Sequence, residues 1–158
     1  GDKLVTWANL FAVNDRESMV AAMERLQPYR SPRTTTVGIL NNRADRQLRA
    51  TQFADVAVRD LDFDRLVTFG AYEQIVTQRL IDNGWPADRI ANLGEQRKPT
   101  TEQMIEELVH NNDTPHVLVV GFVNIHTHQA EMMLDYFEHE AEAVDPGAVP
   151  DLDMAVVA

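Results

Sequence analysis

Four runs of β-forming residues, each followed by a helical pattern, restrict the folds open to this chain. The runs cover residues 3–9, 34–40, 65–70 and 116–123, and residues 85–93 indicate a turn and a short edge strand. Helical patterns cover residues 14–28, 44–58, 72–83, 100–109 and 128–142. Strands that alternate with helices join by right-handed crossovers, which build a mainly parallel sheet with helices on both faces. The sequence therefore predicts an α/β fold with three layers, α/β/α.

Capping residues and apolar spacing predict where the helices begin and which side chains they bury. Asn14 is a favourable N-cap and Glu17 stands at the capping-box position, so the first helix is predicted to start there. Thr100 and Gln103 form the same pattern later in the chain. The helix predicted over residues 44–58 is expected to bury Leu48, Phe53 and Val56 or their neighbours.

The domain organisation follows from length and from the last segment. At 158 residues the chain is expected to form one domain with a substantial core. Residues 145–158 contain two prolines and no helical period. We therefore expect an α/β domain over residues 1–142 and a tail or edge strand over residues 143–158.

One stretch, residues 37–49, joins an apolar strand to a polar turn and then to a helix. Its side chains Asn41, Asn42, Arg43 and Asp45 are expected at the carboxyl end of the strand. The segments that follow the other three strands, residues 9–14, 70–72 and 121–128, are predicted to reach the same edge of the sheet. That edge, beside helix N-termini with unpaired N–H groups, is where open α/β sheets bind anionic ligands.

The three arginines in this stretch allow two interpretations. Arg43, Arg46 and Arg49 are three residues apart, so they share roughly one face if a helix starts near Ala44. One possibility is ion pairing with the many carboxylates of the chain. The other is binding of phosphate or carboxylate groups, which the planar guanidinium suits. Spacing alone leaves both open.

Charge and composition exclude several classes of partner and site. The chain has 25 Asp and Glu against 14 Lys and Arg, a net charge of -11. Such an excess repels phosphate backbones at long range, so we expect no nucleic-acid partner. Without cysteine there is neither a disulfide nor a thiolate metal site. No apolar run approaches the length of a membrane span, and we expect a cytoplasmic protein.

Motif searches exclude three further kinds of site. The chain contains no G-x-x-x-x-G-K-[ST], no G-x-G-x-x-G and no G-x-S-x-G. It therefore lacks the P-loop, the dinucleotide-binding fingerprint and the hydrolase nucleophile elbow.

The histidines give a weaker signal. His126 and His128, with Asp45 as a third ligand, are a candidate metal site. Alternating histidines in a polar loop more often form hydrogen bonds or face solvent, so we assign no metal ligand. His110, His116 and His139 are expected at the surface or at helix ends.

Three segments carry a resemblance to a known family: residues 7–18, residues 40–54 and residues 120–126. The strings Asn-x-Arg-Ala-Asp-Arg and Gly-x-x-Asn-Ile-His are specific, and their order and intervals match across roughly residues 5–140. The chain resembles the C-terminal third of the ligase subunit of poly-γ-glutamate synthase, the CapB type. The wider relatives are the Mur ligases and folylpolyglutamate synthases, whose third domain is a Rossmann-like sheet.

The resemblance implies an activity for the full enzyme. ATP, with magnesium, would convert a glutamate γ-carboxylate into an acyl phosphate, which the amino group of the next glutamate attacks. The third domain would help to hold nucleotide and incoming amino acid without contributing a catalytic residue. Position by position, the implied binding residues are Asn9, Asn14, Asn42, Arg43, Asp45, Arg46, Asn124 and His126.

The resemblance also implies partners that the chain lacks. A P-loop central domain or subunit is absent from these 158 residues, so the chain alone is expected to be inactive. Glutamate or polyglutamate would be the substrate. Membrane subunits of a capsule-forming synthase would hold the enzyme at the inner face of the membrane.

Two positions depart from the family pattern. Thr127 follows His126 where the family has glycine, and Asn42 stands where cysteine is usual. Two other functions therefore remain open. One is a non-catalytic Rossmann-like module that binds a small anion. The other is a hydrolase that uses His126 and Asp45.

Overall fold

The computed structural model describes residues 1–140 and 152–158. Within them lies a six-stranded sheet with the order β4-β3-β2-β5-β1-β6. Strand β6 runs antiparallel to β1, and the other neighbouring strands are parallel. The predicted α/β fold with a mainly parallel sheet is confirmed. The strands are β1 Lys3–Asn9, β2 Thr34–Asn42, β3 Arg65–Gly70, β4 Ile90–Asn92, β5 His116–Phe122 and β6 Leu152–Val157.

Helices join the strands. They are α1 Arg16–Arg25, α2 Gln47–Arg59, α3 Glu73–Asp82, α4 Thr101–Ile105 with a π-helical continuation Glu106–His110, and α5 His128–Glu140. Short 3₁₀ turns lie at Gln27–Tyr29, Ala87–Arg89 and Glu95–Arg97. The predicted capping box at Thr100 and Gln103 is present at the start of α4. None of the helices in the described ranges has both the length and the hydropathy needed to cross a bilayer.

Two apolar clusters cover the two faces of the sheet. Helices α1, α2 and α3 pack on one face, against side chains such as Leu118 and Val120. Helices α4 and α5 pack on the other face, against side chains such as Val117 and Val119. Successive side chains of β5 thus point to opposite faces of the sheet, and the side chains on both faces are buried. This explains why the strand reads as a continuous apolar run.

The order of the strands creates a crevice at their carboxyl ends. The chain leaves β2 towards α2 on one face and leaves its neighbour β5 towards α5 on the other face. Connections that diverge from adjacent parallel strands open a cleft between them, the usual ligand site in such sheets. The residues that follow β2 and β5 therefore lie at this switch point.

The first helix differs from the prediction. It begins at Arg16, and its N-cap is Asp15, whose Oδ1 accepts a hydrogen bond from the Ser18 backbone N–H at 2.8 Å. Asn14 lies one residue before the cap and is exposed. The carboxylate of Asp15 is also attracted to the positive end of the helix dipole, whereas the side chain of an asparagine carries no charge and lacks this attraction.

The second helix also starts later than predicted, at Gln47 instead of residue 44. Strand β2 continues through Asn41 and Asn42, which pair with Phe69 and Gly70 of β3, so a four-residue turn is needed before the helix. Phe53 is buried as predicted and Val56 is partly buried, whereas Leu48 is 71% exposed. The other buried side chains of α2 are Ala50, Ala54 and Ala57.

The last strand, β6, lies at one edge of the sheet beside β1. Its side chains Ala155 and Val157 are buried in the cluster that includes α4 and α5. The predicted boundary between residues 142 and 143 lies outside the described residues.

His116 is not a surface residue, contrary to the prediction. It opens β5 at the amino end of the sheet, is partly buried, and places its ring between two threonine hydroxyls. Its Nε2 lies 2.8 Å from Thr6 Oγ1 and its Nδ1 lies 2.8 Å from Thr34 Oγ1. Burial disfavours the charged ring and lowers the pKa of His116 from the ordinary value of 6.5.

A pH titration tests this environment. By NMR, the His116 ring should titrate below pH 6.5, whereas His139 should titrate above it, because the Asp135 carbonyl and carboxylate raise the pKa of His139. Since the pKa of His116 is lowered by folding, its share of stability is complete above pH 6.5 and is lost as the pH falls through the folded-state pKa. His116→Gln should reduce that acid sensitivity. A midpoint for His116 at or above that of His139 would contradict the assignment.

Candidate functional site

A buried pair of asparagines joins the carboxyl ends of β2 and β5. Asn41 Nδ2 donates to the Asn124 carbonyl at 2.6 Å, and Asn124 Nδ2 donates to the Asn41 carbonyl at 3.0 Å. Both side chains are almost completely buried. Because each amide satisfies the backbone of the other strand end, the two strands hold a fixed spacing at the crevice.

Thr127 completes this pair and explains its departure from the family pattern. Its hydroxyl donates to Asn41 Oδ1 at 2.6 Å and accepts the Ala130 backbone N–H of α5 at 3.1 Å. The left-handed backbone in this loop falls on Val123, with φ 86°, and His126, with φ 61°, not on Thr127. A glycine is therefore not required at position 127, and the threonine supplies a hydrogen bond that glycine cannot.

Arg49 connects the asparagine pair to α2. Its Nη1 donates to Asn124 Oδ1 at 2.8 Å. Arg49 thus has a different partner from the other two arginines of the predicted cluster, since Arg43 and Arg46 precede the helix and bond Asp45. Asn41, Thr127 and Arg49 were not assigned as binding residues from the sequence. Two of them gave a signal, since Asn41 ends an apolar strand with a polar side chain and Arg49 belongs to the arginine spacing considered for anion binding.

The residues Arg43–Arg46, which we call the arginine turn, form a compact charged group. Arg43 holds Asp45 with two bonds, Nε to Oδ1 at 3.0 Å and Nη2 to Oδ2 at 2.7 Å. Arg46 Nη1 lies 3.1 Å from the same Oδ2. The hydrogen bonds from Arg43 lower the pKa of Asp45, which keeps the carboxylate charged.

The arginine turn combines the two possibilities that spacing left open. One carboxylate pairs with two guanidinium groups, so ion pairing is present and a net charge of one positive unit remains. The turn leads directly into α2, whose N-cap residue Arg46 makes no side-chain capping bond. Unpaired N–H groups of a helix start beside a net positive charge can bind an anion.

The other predicted residues take less specific positions. Asn9 ends β1, and its Oδ1 accepts the Phe11 backbone N–H at 3.3 Å. Asn42 is buried, and its Oδ1 has no hydrogen-bond partner among the described residues. The His126 side chain is 68% exposed and its Nδ1 lies 3.1 Å from Glu131 Oε1. Asn14 is exposed.

Neither the metal site nor the hydrolase pair is assembled. In residues 1–140 and 152–158, no three His, Asp or Glu side chains lie close enough to hold a metal ion. His126 bonds Glu131, and Asp45 bonds the two arginines. No hydrogen bond or ion pair within the described residues joins His126 to Asp45, the two groups that a histidine-assisted hydrolase would use.

A cavity of about 360 Å³ lies at the carboxyl end of β3. It is lined by Gly70, Ala71, Tyr72, Glu73, Gln74, Ile75 and Gln96. Tyr72 adopts the left-handed conformation, with φ 62° and ψ 27°, directly before α3. Such a conformation costs a residue other than glycine about 1–3 kcal/mol.

Comparison with known proteins places the chain in a family. The sequence profile described as poly-gamma-glutamate synthase CapB C-terminal domain matches residues 1–140. The PGA synthase CapB of Bacillus subtilis (strain 168) is 25% identical over 120 residues, which cover 76% of this chain and 29% of that protein. The chain therefore spans under a third of that relative's length.

A solved structure of Mycobacterium tuberculosis folylpolyglutamate synthase, complexed with ADP and AMPPCP, is also similar. It has 13% sequence identity and a TM-score of 0.49, and the match covers 77% of this chain and 28% of that one. The family assignment rests on the profile match, which extends over all five parallel strands and the helices between them. The chain belongs to the family of poly-gamma-glutamate synthase CapB C-terminal domains.

Proposed function

We propose that this chain is the C-terminal domain of an ATP-dependent amide ligase that joins glutamate residues through their γ-carboxylates. In this proposal its crevice helps to bind nucleotide and incoming amino acid. The family match over residues 1–140 is the observation that carries the proposal. The name of the B. subtilis relative, a PGA synthase, agrees with it.

The geometry of the arginine turn supports anion binding at the crevice. The turn keeps one net positive charge beside the uncapped start of α2. A glutamate carboxylate or a phosphate group offers the planar or multiple oxygens that guanidinium groups bind best. Closure of a partner domain over the crevice would expel water and strengthen these charge-assisted bonds.

The residues present fit a binding role and not the phosphoryl-transfer step itself. The chain has no P-loop sequence, and its described residues offer no cluster of carboxylates for Mg²⁺. We therefore assign magnesium binding and the phosphoryl-transfer step to the P-loop part of the ligase. In the full enzyme ATP supplies the phosphoryl group that activates the γ-carboxylate, and attack by the next amino group releases phosphate. Membrane subunits and a position at the inner face of the membrane belong to the same proposal.

Reconstitution tests this function. We would measure glutamate-dependent phosphate release from ATP with the chain alone, with a separately expressed P-loop portion of a related ligase alone, and with the two mixed. We expect release only from the mixture. Release by the chain alone would contradict the proposal. If the two parts associate but the mixture releases no phosphate, the result would favour a non-catalytic module that binds a small anion.

The central arginine gives a sharper prediction. Arg43→Ala should lower kcat/KM of the mixture by at least about tenfold, the factor for one lost charge-assisted hydrogen bond. The urea unfolding midpoint should change little, because the side chains of Arg43 and Asp45 are 29% and 53% exposed and water screens their ion pair.

A matched control lies at the other end of the same strand. Arg33 is exposed and precedes β2, whereas Arg43 follows it. Arg33→Ala removes the same charge from the chain but not from the crevice, so it should keep the activity of the mixture. Equal losses in the two variants would mean that net charge alone matters. Loss of folding in Arg43→Ala would mean that the residue is structural.

A further inference from the structure

The backbone of Tyr72 is held in an unfavourable conformation. Its φ of 62° lies in the left-handed region, two residues after Gly70, whose φ is 77°. A glycine at position 72 would adopt this conformation without strain. Strained residues that persist near a site are associated with function, and here the strained backbone sets the direction of the Tyr72 side chain.

The hydroxyl of Tyr72 reaches the arginine turn. It donates a hydrogen bond to the carbonyl oxygen of Ala44, the residue between Arg43 and Asp45. The preceding residue, Ala71, donates its backbone N–H to the Asn42 carbonyl at 2.8 Å. The loop from β3 to α3 therefore bonds the arginine turn at Ala44 and the end of β2 at Asn42, directly before the turn.

The arginine turn has little other support. Among residues 1–140 and 152–158, Tyr72 is the only side chain outside the turn that bonds to its backbone. Within the turn, the Arg46 N–H bonds the Arg43 carbonyl at 3.1 Å, and the start of α2 has no side-chain cap. The orientation of the turn thus depends on a contact from the neighbouring strand's loop.

We propose that Tyr72 is a positioning residue, whose hydroxyl fixes the arginine turn in the conformation that binds the anionic substrate. This inference rests on the proposed function of that turn. The Tyr72 ring also lines the 360 Å³ cavity, and its hydroxyl bonds the turn, so the residue connects the two features. The strain at its backbone is the cost of placing a phenol where a glycine would otherwise suit the turn.

The first test uses the chain alone. Tyr72→Phe removes only the hydroxyl. The matched control is Tyr29→Phe, because Tyr29 is a partly buried tyrosine that packs against the core from the 3₁₀ turn after α1. By ¹⁵N relaxation, order parameters at residues 44–46 should fall in Tyr72→Phe from about 0.85 to below about 0.6. The control should leave them unchanged. Unchanged values in Tyr72→Phe would overturn the proposal.

The second test uses the reconstituted ligase. Tyr72→Phe should raise KM for glutamate or ATP about fivefold, the factor for one ordinary hydrogen bond, with kcat nearly unchanged. A fall in kcat alone, or an unchanged KM in an active mixture, would overturn the role in substrate binding. If the wild-type mixture is inactive, the proposed function fails, whereas the order parameters still decide whether Tyr72 holds the turn.

Discussion

Replacing Gly70 by alanine is expected to lower the free energy of unfolding by about 3–5 kcal/mol. Gly70 ends β3 with φ 77°, and an added Cβ would lie 2.1 Å from the carbonyl oxygen of Asn42 on the neighbouring strand. That oxygen belongs to the backbone and accepts the Ala71 N–H, so it cannot move aside cheaply. The strain and the clash together should separate the ends of β2 and β3.

Gly84 provides a control for the backbone conformation alone. Its φ is 94°, but an added Cβ would meet no atom within 4 Å. Gly84→Ala should therefore cost only the strain, about 1–2 kcal/mol. Urea unfolding followed by tryptophan fluorescence measures both, because Trp7 is buried in the core. Equal effects of the two substitutions would mean that the contact between Gly70 and Asn42 is not tight.

Asn41→Ala is expected to cost about 3 kcal/mol of stability. It removes the bond from Asn41 Nδ2 to the Asn124 carbonyl and the bond that Asn41 Oδ1 accepts from Thr127. Both partners are buried and would be left unsatisfied. The spacing of β2 and β5 should then relax, so the activity of the reconstituted ligase should fall as well.

Two further variants separate the possible causes. Thr127→Val keeps the shape of the side chain and removes the hydroxyl bonds to Asn41 and to the start of α5, so it should cost less, about 1–2 kcal/mol. Asn14→Ala removes an exposed amide and should leave the unfolding midpoint unchanged. If Asn41→Ala is as mild as Asn14→Ala, the buried network does not stabilise the crevice.

Local sequence patterns predicted where the crevice lies but not which side chains form hydrogen bonds within it. Residues 41–45 and 124–126 were expected at one edge of the sheet, and the structure brings them there. The predicted start of α2 is three residues too early. The spacing of apolar residues does not show that β2 continues through Asn42, which pairs with Gly70. The cap of α1 was misplaced by one residue for a similar reason, since neighbouring Asn14 and Asp15 are both good caps.

The meaning of the arginines depended on contacts beyond their own segment. Their spacing predicts that the three arginines share one helix face. In the structure Arg43 and Arg46 bond Asp45, whereas Arg49 bonds Asn124. The sequence predicts Tyr72 only as the start of a helix, because nothing near it in the chain indicates that its hydroxyl bonds Ala44, 28 residues away.

The amino-acid sequence alone was enough to predict the fold class, the succession of strands and helices along the chain, and the resemblance that the family match confirmed. These follow from hydrophobic periods and short strings, which are local. The position of β5 between β1 and β2 is known only from the folded chain, and with it the contact of Asn41 with Asn124 across 83 residues. Strand order depends on how all the crossovers pack at once, and no local pattern encodes a contact between side chains so far apart in the chain.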